Sequence, residues 1–256
     1  MPRIGNREQV VIADFTLSRG KLQMKQAYWN SATLDFESEV CDITREESAD
    51  LVKRHVALAR PKRKDSVLVD LGCGVGTFIH RYGPRFHKVI GVEFAPRIIA
   101  QAIKRCAAMP NVTWKTMDIP PAAKAIGTCA DLTVCMNVIT SASAAKRAAI
   151  WSGIAHVTRK GGHALVVIPS LESEWLVRAT TKEKLEPLRK GGLVKRDDAW
   201  QKHYERAELD RIFTDYGFTV RRIDRAYYPW SIEGVRETAA RARNRPWDWM
   251  CLAQKL

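Results

Sequence analysis

The apolar positions of this chain fall into two alternating rhythms. Short, nearly continuous apolar runs occur at Val67–Leu71, Lys88–Glu93, Asn111–Lys115, Ala130–Val138, Ala164–Ile168, Phe218–Ile223 and Trp247–Ala253. Such runs predict strands buried on both faces, as in a central parallel sheet. Between them, apolar residues three and four apart predict helices. Leu51, Val52, Val56 and Ala59 form one stripe, opened by the capping box Thr44-Arg45-Glu46-Glu47 and stopped at Pro61. Phe78 and Ile79 begin a second helix, and Pro96 opens a third that runs to Ala108. Ser141 or Ser143 caps a fourth, carrying Ala148, Ile150, Trp151, Ile154 and Val157. Leu209, Ile212 and Phe213 line a fifth, Glu205–Tyr216, closed by Gly217. Strands alternating with helices predict a layered α/β domain.

Three stretches interrupt the alternation. Residues 1–43 read as an N-terminal arm, with Tyr28, Trp29 and Phe36 among its aromatic residues, ahead of a domain spanning 44–256. Residues 171–204 carry no strand signal and are rich in lysine and arginine. They read as an insertion over a substrate, since a loop of that length is more often functional than decorative. Tyr227-Tyr228-Pro229-Trp230 is followed by Arg236, Arg241, Arg243 and Arg245. That connection is either a stacking strip for a nucleic acid or phosphorylated aromatic, or a solvated helix over Ser231–Ala242. Lys160-Gly161-Gly162 predicts a chain turn.

Composition narrows the picture in two places. The net charge of +14 over 256 residues favours an acidic partner: an anionic small molecule, RNA or a charged surface. The six cysteines, at 41, 73, 106, 129, 135 and 251, include no C-x-x-C pair. That argues against a zinc site or a disulfide framework and for reduced thiols in the cytoplasm. No metal site and no membrane span are expected.

The chemistry begins at Val67-Leu68-Val69-Asp70-Leu71-Gly72-Cys73-Gly74-Val75-Gly76. A buried strand runs into glycines at every second position, where the backbone must turn and let a ligand approach. A dinucleotide fingerprint would need glycine at position 77, which is Thr. The form D-x-G-x-G-x-G resembles motif I of the class I S-adenosylmethionine-dependent methyltransferases. The resemblance implies a three-layer αβα sandwich with a seven-stranded, mostly parallel sheet of order 3-2-1-4-5-7-6, strand seven antiparallel. It implies S-adenosylmethionine as cofactor, with the backbone of Gly72, Cys73, Gly74 and Gly76 along the methionyl part and Asp70 binding its ammonium. Glu93, an acid at the tip of the second strand about 20 residues beyond Asp70, takes the ribose hydroxyls, and Phe94 lies along the adenine. Asp118 accepts the adenine amino group, and the Ile119 N–H faces a ring nitrogen. Asn137 lies near the cofactor or the substrate, and Trp29 belongs to a segment covering the site.

The acceptor is less legible. After the fourth strand the chain reads Cys135-Met136-Asn137-Val138, not the [N/D]-P-P-[Y/F] of amino-group DNA methylases. Cys135 lacks the preceding proline of a cytosine-C5 nucleophile. Ser170, Glu172 and Ser173 follow the fifth strand, either as substrate contacts or as a helix N-cap. Trp200 in the insertion is a second substrate candidate. His203 is the expected general base, since histidine titrates in the useful range, with Tyr204 and Glu172 as alternatives. The expected activity is methyl transfer to an O or N atom of a small, anionic molecule, with tRNA or rRNA methylation as the alternative.

Overall fold

The computed structural model describes residues 46–59, 61, 63–181, 190–196 and 199–256. The arm with Trp29, and Thr44 of the expected capping box, lie outside the described residues. Strands β1 (Val67–Leu71), β2 (Lys88–Glu93), β3 (Val112–Thr116), β4 (Ala130–Met136), β5 (Thr158–Pro169), β8 (Phe218–Tyr227) and β9 (Trp247–Lys255) form one sheet. Its order is β3-β2-β1-β4-β5-β9-β8. β1 to β5 are parallel, and β9 runs antiparallel to both β5 and β8. This is the sheet that motif I implies.

Helices cover both faces. On one side α4 (Ile119–Ile126), α5 (Ala144–Val157) and α7 (Arg206–Asp215) pack on Val69, Val166, Trp249 and Cys251. On the other, α1 (Glu46–Ala59) and α2 (Thr77–Tyr82) pack on Leu68, Val134, Leu165 and Met250. α3 (Pro96–Arg105) adds Ile98 against Val75. Side chains alternate between faces along a strand, so this partition also decides which polar residues share a face. Leu68, Val89, Val134, Leu165, Val167 and Met250 lie on the α1 side. Asp70, Glu93 and Asp248, two or four residues from members of that set, lie on the same side at one edge of the sheet.

Several elements differ from expectation for identifiable reasons. Lys160-Gly161-Gly162 is a bulge inside β5, not a turn. Gly161 adopts φ +73°, and the pairing register slips between Ala130 and Leu132. A Cβ on Gly162 would sit 2.7 Å from the Ala130 carbonyl oxygen, so the bulge needs glycine. It also delivers Arg159 to the buried Asp131 carboxylate, which accepts the Val67 N–H at 2.7 Å. α4 was not signalled, because Pro120 and Pro121 read as breakers. Both sit in the first turn behind Asp118, where no backbone N–H is needed. α3 stops at Arg105, with Cys106 as its cap residue.

The region 171–204 is not a strandless insertion. Residues Leu171–Thr181 form helix α6, whose Leu171 and Val177 are buried. β6 (Leu193–Arg196) and β7 (Ala199–Lys202) form an antiparallel hairpin. The hairpin is fastened to the exit of β4, where Lys202 N–H donates to the Thr140 carbonyl at 2.9 Å, and is closed at its base by His203 N–H to the Gly192 carbonyl at 2.8 Å. Nor is there a solvated helix over Ser231–Ala242. That stretch is a 3₁₀ turn, Trp230–Glu233, and a single-turn α8, Ala239–Ala242. Trp230 is fully buried, its indole N–H shared between the Arg241 and Asn244 carbonyls at 3.1 and 3.2 Å.

Candidate functional site

The glycine loop folds over the end of β2. Gly72 and Cys73 N–H groups both donate to the Val92 carbonyl, at 2.8 and 2.9 Å. Gly72, Gly74 and Gly76 have φ of +82°, +52° and +77°. A side chain at Gly72 would collide with Val138, and a Cβ at Gly76 would lie 2.9 Å from that of Ala102. Glycine is therefore required twice, for backbone sign and for clearance. The loop then enters α2, with Gly76 accepting the His80 N–H at 2.8 Å.

Three acids stand in a row at the carboxyl ends of adjacent strands. Asp70 ends the apolar run of β1 and is 3% exposed; Glu93 ends β2 and is 7% exposed. Asp118 follows β3, is exposed, and is near enough to Glu93 to raise its pKa. Glu93 accepts the Ala95 N–H at 2.9 Å and the Gly74 N–H at 3.3 Å, tying the two loops together. Burial pushes the Asp70 carboxyl up to about 8, and the nearby Glu93 carboxylate adds to the effect. Burial likewise raises Glu93, against its backbone donors. Two desolvated acids facing each other are costly unless a cation or hydroxyl donors occupy the space between. The pair of acceptors fits a ligand with a cationic end and a diol. Ile119 is buried beside Asp118, and Phe94 is half-buried after Glu93.

On the other half of the edge, Asn137 follows β4 with φ +56°, and its N–H donates to the Val167 carbonyl at 2.9 Å. Its side chain hydrogen-bonds Asp248, the second residue of β9. Asp248 is 7% exposed and opposite Pro169 at the end of β5. Burial, with the Glu233 carboxylate adding, moves it up to about 7. Sequence reasoning treated Asp248 only as a strand residue. The signal that marks it is an acid between two tryptophans at the start of an otherwise apolar strand.

The expected catalytic and substrate residues are brought together, but as supports. The Ser170 hydroxyl caps α6 by accepting the Ser173 N–H at 3.0 Å. The Ser173 hydroxyl accepts the Trp247 N–H at 2.8 Å. Both serines are buried, and of the two expected readings the Ser170 bond is that of the helix N-cap. Glu172 is engaged by the Ser170 hydroxyl at 3.1 Å, the Arg206 N–H at 2.7 Å and the Trp249 indole at 3.3 Å. Those bonds leave it a strut, not a base. The Tyr204 hydroxyl donates to the Ile139 carbonyl at 2.8 Å, and burial raises its pKa further from the physiological range. His203 is buried, with Nδ1 at 3.4 Å from the Ser170 carbonyl, and not in an exposed basic loop. Trp200 is half-buried on the hairpin. Cys135 is a fully buried core thiol. Among the described residues no group of His, Cys, Asp or Glu is arranged to hold a metal ion, and no helix is long and apolar enough to cross a membrane.

Residues 68–162 match the model of the family described as a methyltransferase domain. That segment carries the glycine loop and all three acids, and the sheet to which it belongs has the class I fold. Solved structures with the same architecture include the 1,6-didemethyltoxoflavin-N1-methyltransferase of Burkholderia thailandensis. It is 14% identical with a TM-score of 0.60, over 90% of this chain and 86% of that one. The magnesium protoporphyrin IX methyltransferase of Synechocystis, solved with S-adenosylhomocysteine, is 15% identical at 0.59, over 90% and 97%. The N-methyltransferase NodS of Bradyrhizobium japonicum is 13% identical at 0.59, over 88% and 98%. No curated protein matches the sequence.

Proposed function

We propose that this protein transfers the methyl group of S-adenosylmethionine to an oxygen or nitrogen of a small, anionic acceptor. The observation that carries the reading is the row of Asp70, Glu93 and Asp118 around the glycine loop, two of them buried with no compensating cation among the described residues. In this reading Asp70 holds the cofactor's ammonium. Glu93 accepts from the ribose hydroxyls, and Asp118 with the Ile119 N–H takes the adenine edge. Gly72, Cys73, Gly74 and Gly76 present backbone to the methionyl chain. When bound, the cofactor supplies a methyl already activated on a sulfonium. The work of the chain is then to hold the acceptor in line and exclude water, a contribution on the order of 7–11 kcal/mol when the geometry is good.

The acceptor class is supported from two sides. The named acceptors of the structural neighbours, a porphyrin and a toxoflavin precursor, are small molecules. The net charge of +14 favours an anion. The same charge is what favours RNA, but of the aromatics in the arginine-rich connection Trp230 is buried in protein and cannot stack on a base, which leaves Tyr227 as the exposed one. Buried, unpaired thiols among the described residues are in keeping with a reducing, cytoplasmic setting. The test is to incubate the protein with methyl-labelled S-adenosylmethionine and a cell extract, then separate RNA from small molecules. Label in small anionic metabolites supports the reading. Label confined to RNA, with binding that weakens steeply as salt rises, overturns it.

A further inference from the structure

The acids that frame the glycine loop are all on the β1–β2–β3 half of the sheet edge. A cofactor held there by Asp70 at its amino-acid end and Glu93 at its ribose extends towards β3. Its reactive centre therefore faces β4 and, beyond it, β5 and β9, and an acceptor must arrive from that side. Any group that handles the acceptor's proton has to stand on this half, and on the face that Asp70 and Glu93 share. Tyr204 and Glu172 fail the second condition, and the His203 ring is turned to the Ser170 carbonyl. Tyr204 belongs to the core on the α5 and α7 side together with Trp249, to whose indole Glu172 is bonded.

Asp248 meets both conditions. Met250 and Leu252, its alternate neighbours on β9, are in the same core as Leu68, Val134 and Cys73 of the glycine loop. It pairs with Pro169 and Ala226 at the strand ends where the cofactor edge lies. Asn137 bridges the gap: it leaves β4, hydrogen-bonds Asp248 with its side chain, and is followed by Val138, which packs on Gly72. Glu233, on the 3₁₀ turn, is the charged group whose field reaches Asp248, and it is itself held by the Tyr228 hydroxyl at 2.9 Å. A carboxylate buried beside another acid, oriented by an amide and set at the sheet edge is placed as a base, not as half of an ion pair.

We infer that Asp248 is the general base for this protein's methyl transfer, and so that the acceptor enters with its nucleophilic oxygen or nitrogen still protonated. The inference rests on the reading under Proposed function. As the acceptor's lone pair forms the new bond to the methyl carbon, the carbon–sulfur pair stays on sulfur, which passes from sulfonium to thioether. The acceptor's O–H or N–H bond breaks, and the proton passes to the Asp248 carboxylate. Asn137 orients that carboxylate, and Glu233 keeps it basic enough to accept. Asp248 titrating near 7 is suited to the task at neutral pH.

The test needs no acceptor, because it uses the cofactor's own charge as the probe. The protein is labelled with ¹³C at the aspartate carboxyl, the Asp248 and Asp70 signals are assigned from Asp248→Asn and Asp70→Asn, and both are titrated in three states: free, with S-adenosylmethionine and with S-adenosylhomocysteine. Should Asp248→Asn not fold, Asp248→Glu removes the same signal. Both ligands carry the ammonium, but only the first carries the sulfonium. Asp70 responds to both ligands. Asp248 titrates at least about one pH unit lower with S-adenosylmethionine than with S-adenosylhomocysteine, the size expected of a nearby positive charge. If Asp70 responds and Asp248 titrates alike in the two complexes, Asp248 is not at the reacting centre and the inference falls alone. If neither ligand moves Asp70, the assignment of the cofactor site falls, and the inference with it.

Discussion

The two halves of the sheet edge are built on different principles. On the β1–β2–β3 half the functional groups are consecutive with the strands that carry them: Asp70 and the glycines end β1, Glu93 ends β2 and Asp118 follows β3. Few hydrogen bonds tie up these acids, and burial leaves Asp70 and Glu93 poorly solvated. On the β5–β9–β8 half the polar groups come from distant parts of the chain and are mostly bonded to one another. Ser170 caps a helix, Ser173 holds Trp247, Glu172 takes three donors and Tyr204 reaches Ile139. The first half holds buried acids that a bound ligand would satisfy; most of the second is scaffold. Asp248 is the exception, a scaffold-strand residue with the electrostatics of the cofactor half.

The largest effect that sharpens this contrast is at Gly72. Gly72→Val adds a β-branched side chain at φ +82° against Val138, and it abolishes S-adenosylmethionine binding in calorimetry. Glu93→Ala follows. Losing hydrogen bonds to a charged group at about 1.5–3 kcal/mol weakens cofactor binding by about 10- to 100-fold while circular dichroism is unchanged. Asp70→Asn has a signed pH signature. In the free protein Asp70 stays protonated up to about 8, far above its unfolded value. Its contribution to stability is therefore fully present below about pH 4 and is lost as pH rises through about 8. Thermal melts of the free proteins at pH 9 should give Asp70→Asn the higher Tm, by about 2–4 °C per kcal/mol recovered. A lower Tm would mean that the charged form is the favoured one. The smallest effect belongs to the scaffold. Tyr204→Phe removes the bond to Ile139 and lowers stability by about 1 kcal/mol in urea melts, with cofactor affinity unchanged. A large loss of affinity would erase the distinction between the halves.

The same difference explains what the amino-acid sequence discloses. The cofactor half is legible because its chemistry is local. Apolar runs mark β1 and β2, and each ends in its own acid. The glycines are demanded by backbone sign and clearance that no other residue meets. The strand order follows once that motif is recognised. The other half depends on long-range packing, which local periodicity does not encode. A histidine and a tyrosine in a basic stretch look reactive until the β6–β7 hairpin buries them beneath the exit of β4. Trp230 looks like a stacking surface until its indole is found between two carbonyls. Asp248 looks like a strand acid until Asn137, over 100 residues earlier in the sequence, is found bonded to it.

The measurement that tests the account most directly is calorimetry of S-adenosylmethionine with the wild type and Asp70→Asn at pH 7, in two buffers of different ionisation enthalpy. The account predicts saturable binding by the wild type with net proton release, because a neutral Asp70 must ionise to meet the ammonium. The release is smaller, by the share that Asp70 contributes, and the affinity lower, in Asp70→Asn. Wild-type binding without proton release, equal to that of the variant, would contradict the role of Asp70. No binding by the wild type would contradict the cofactor site itself.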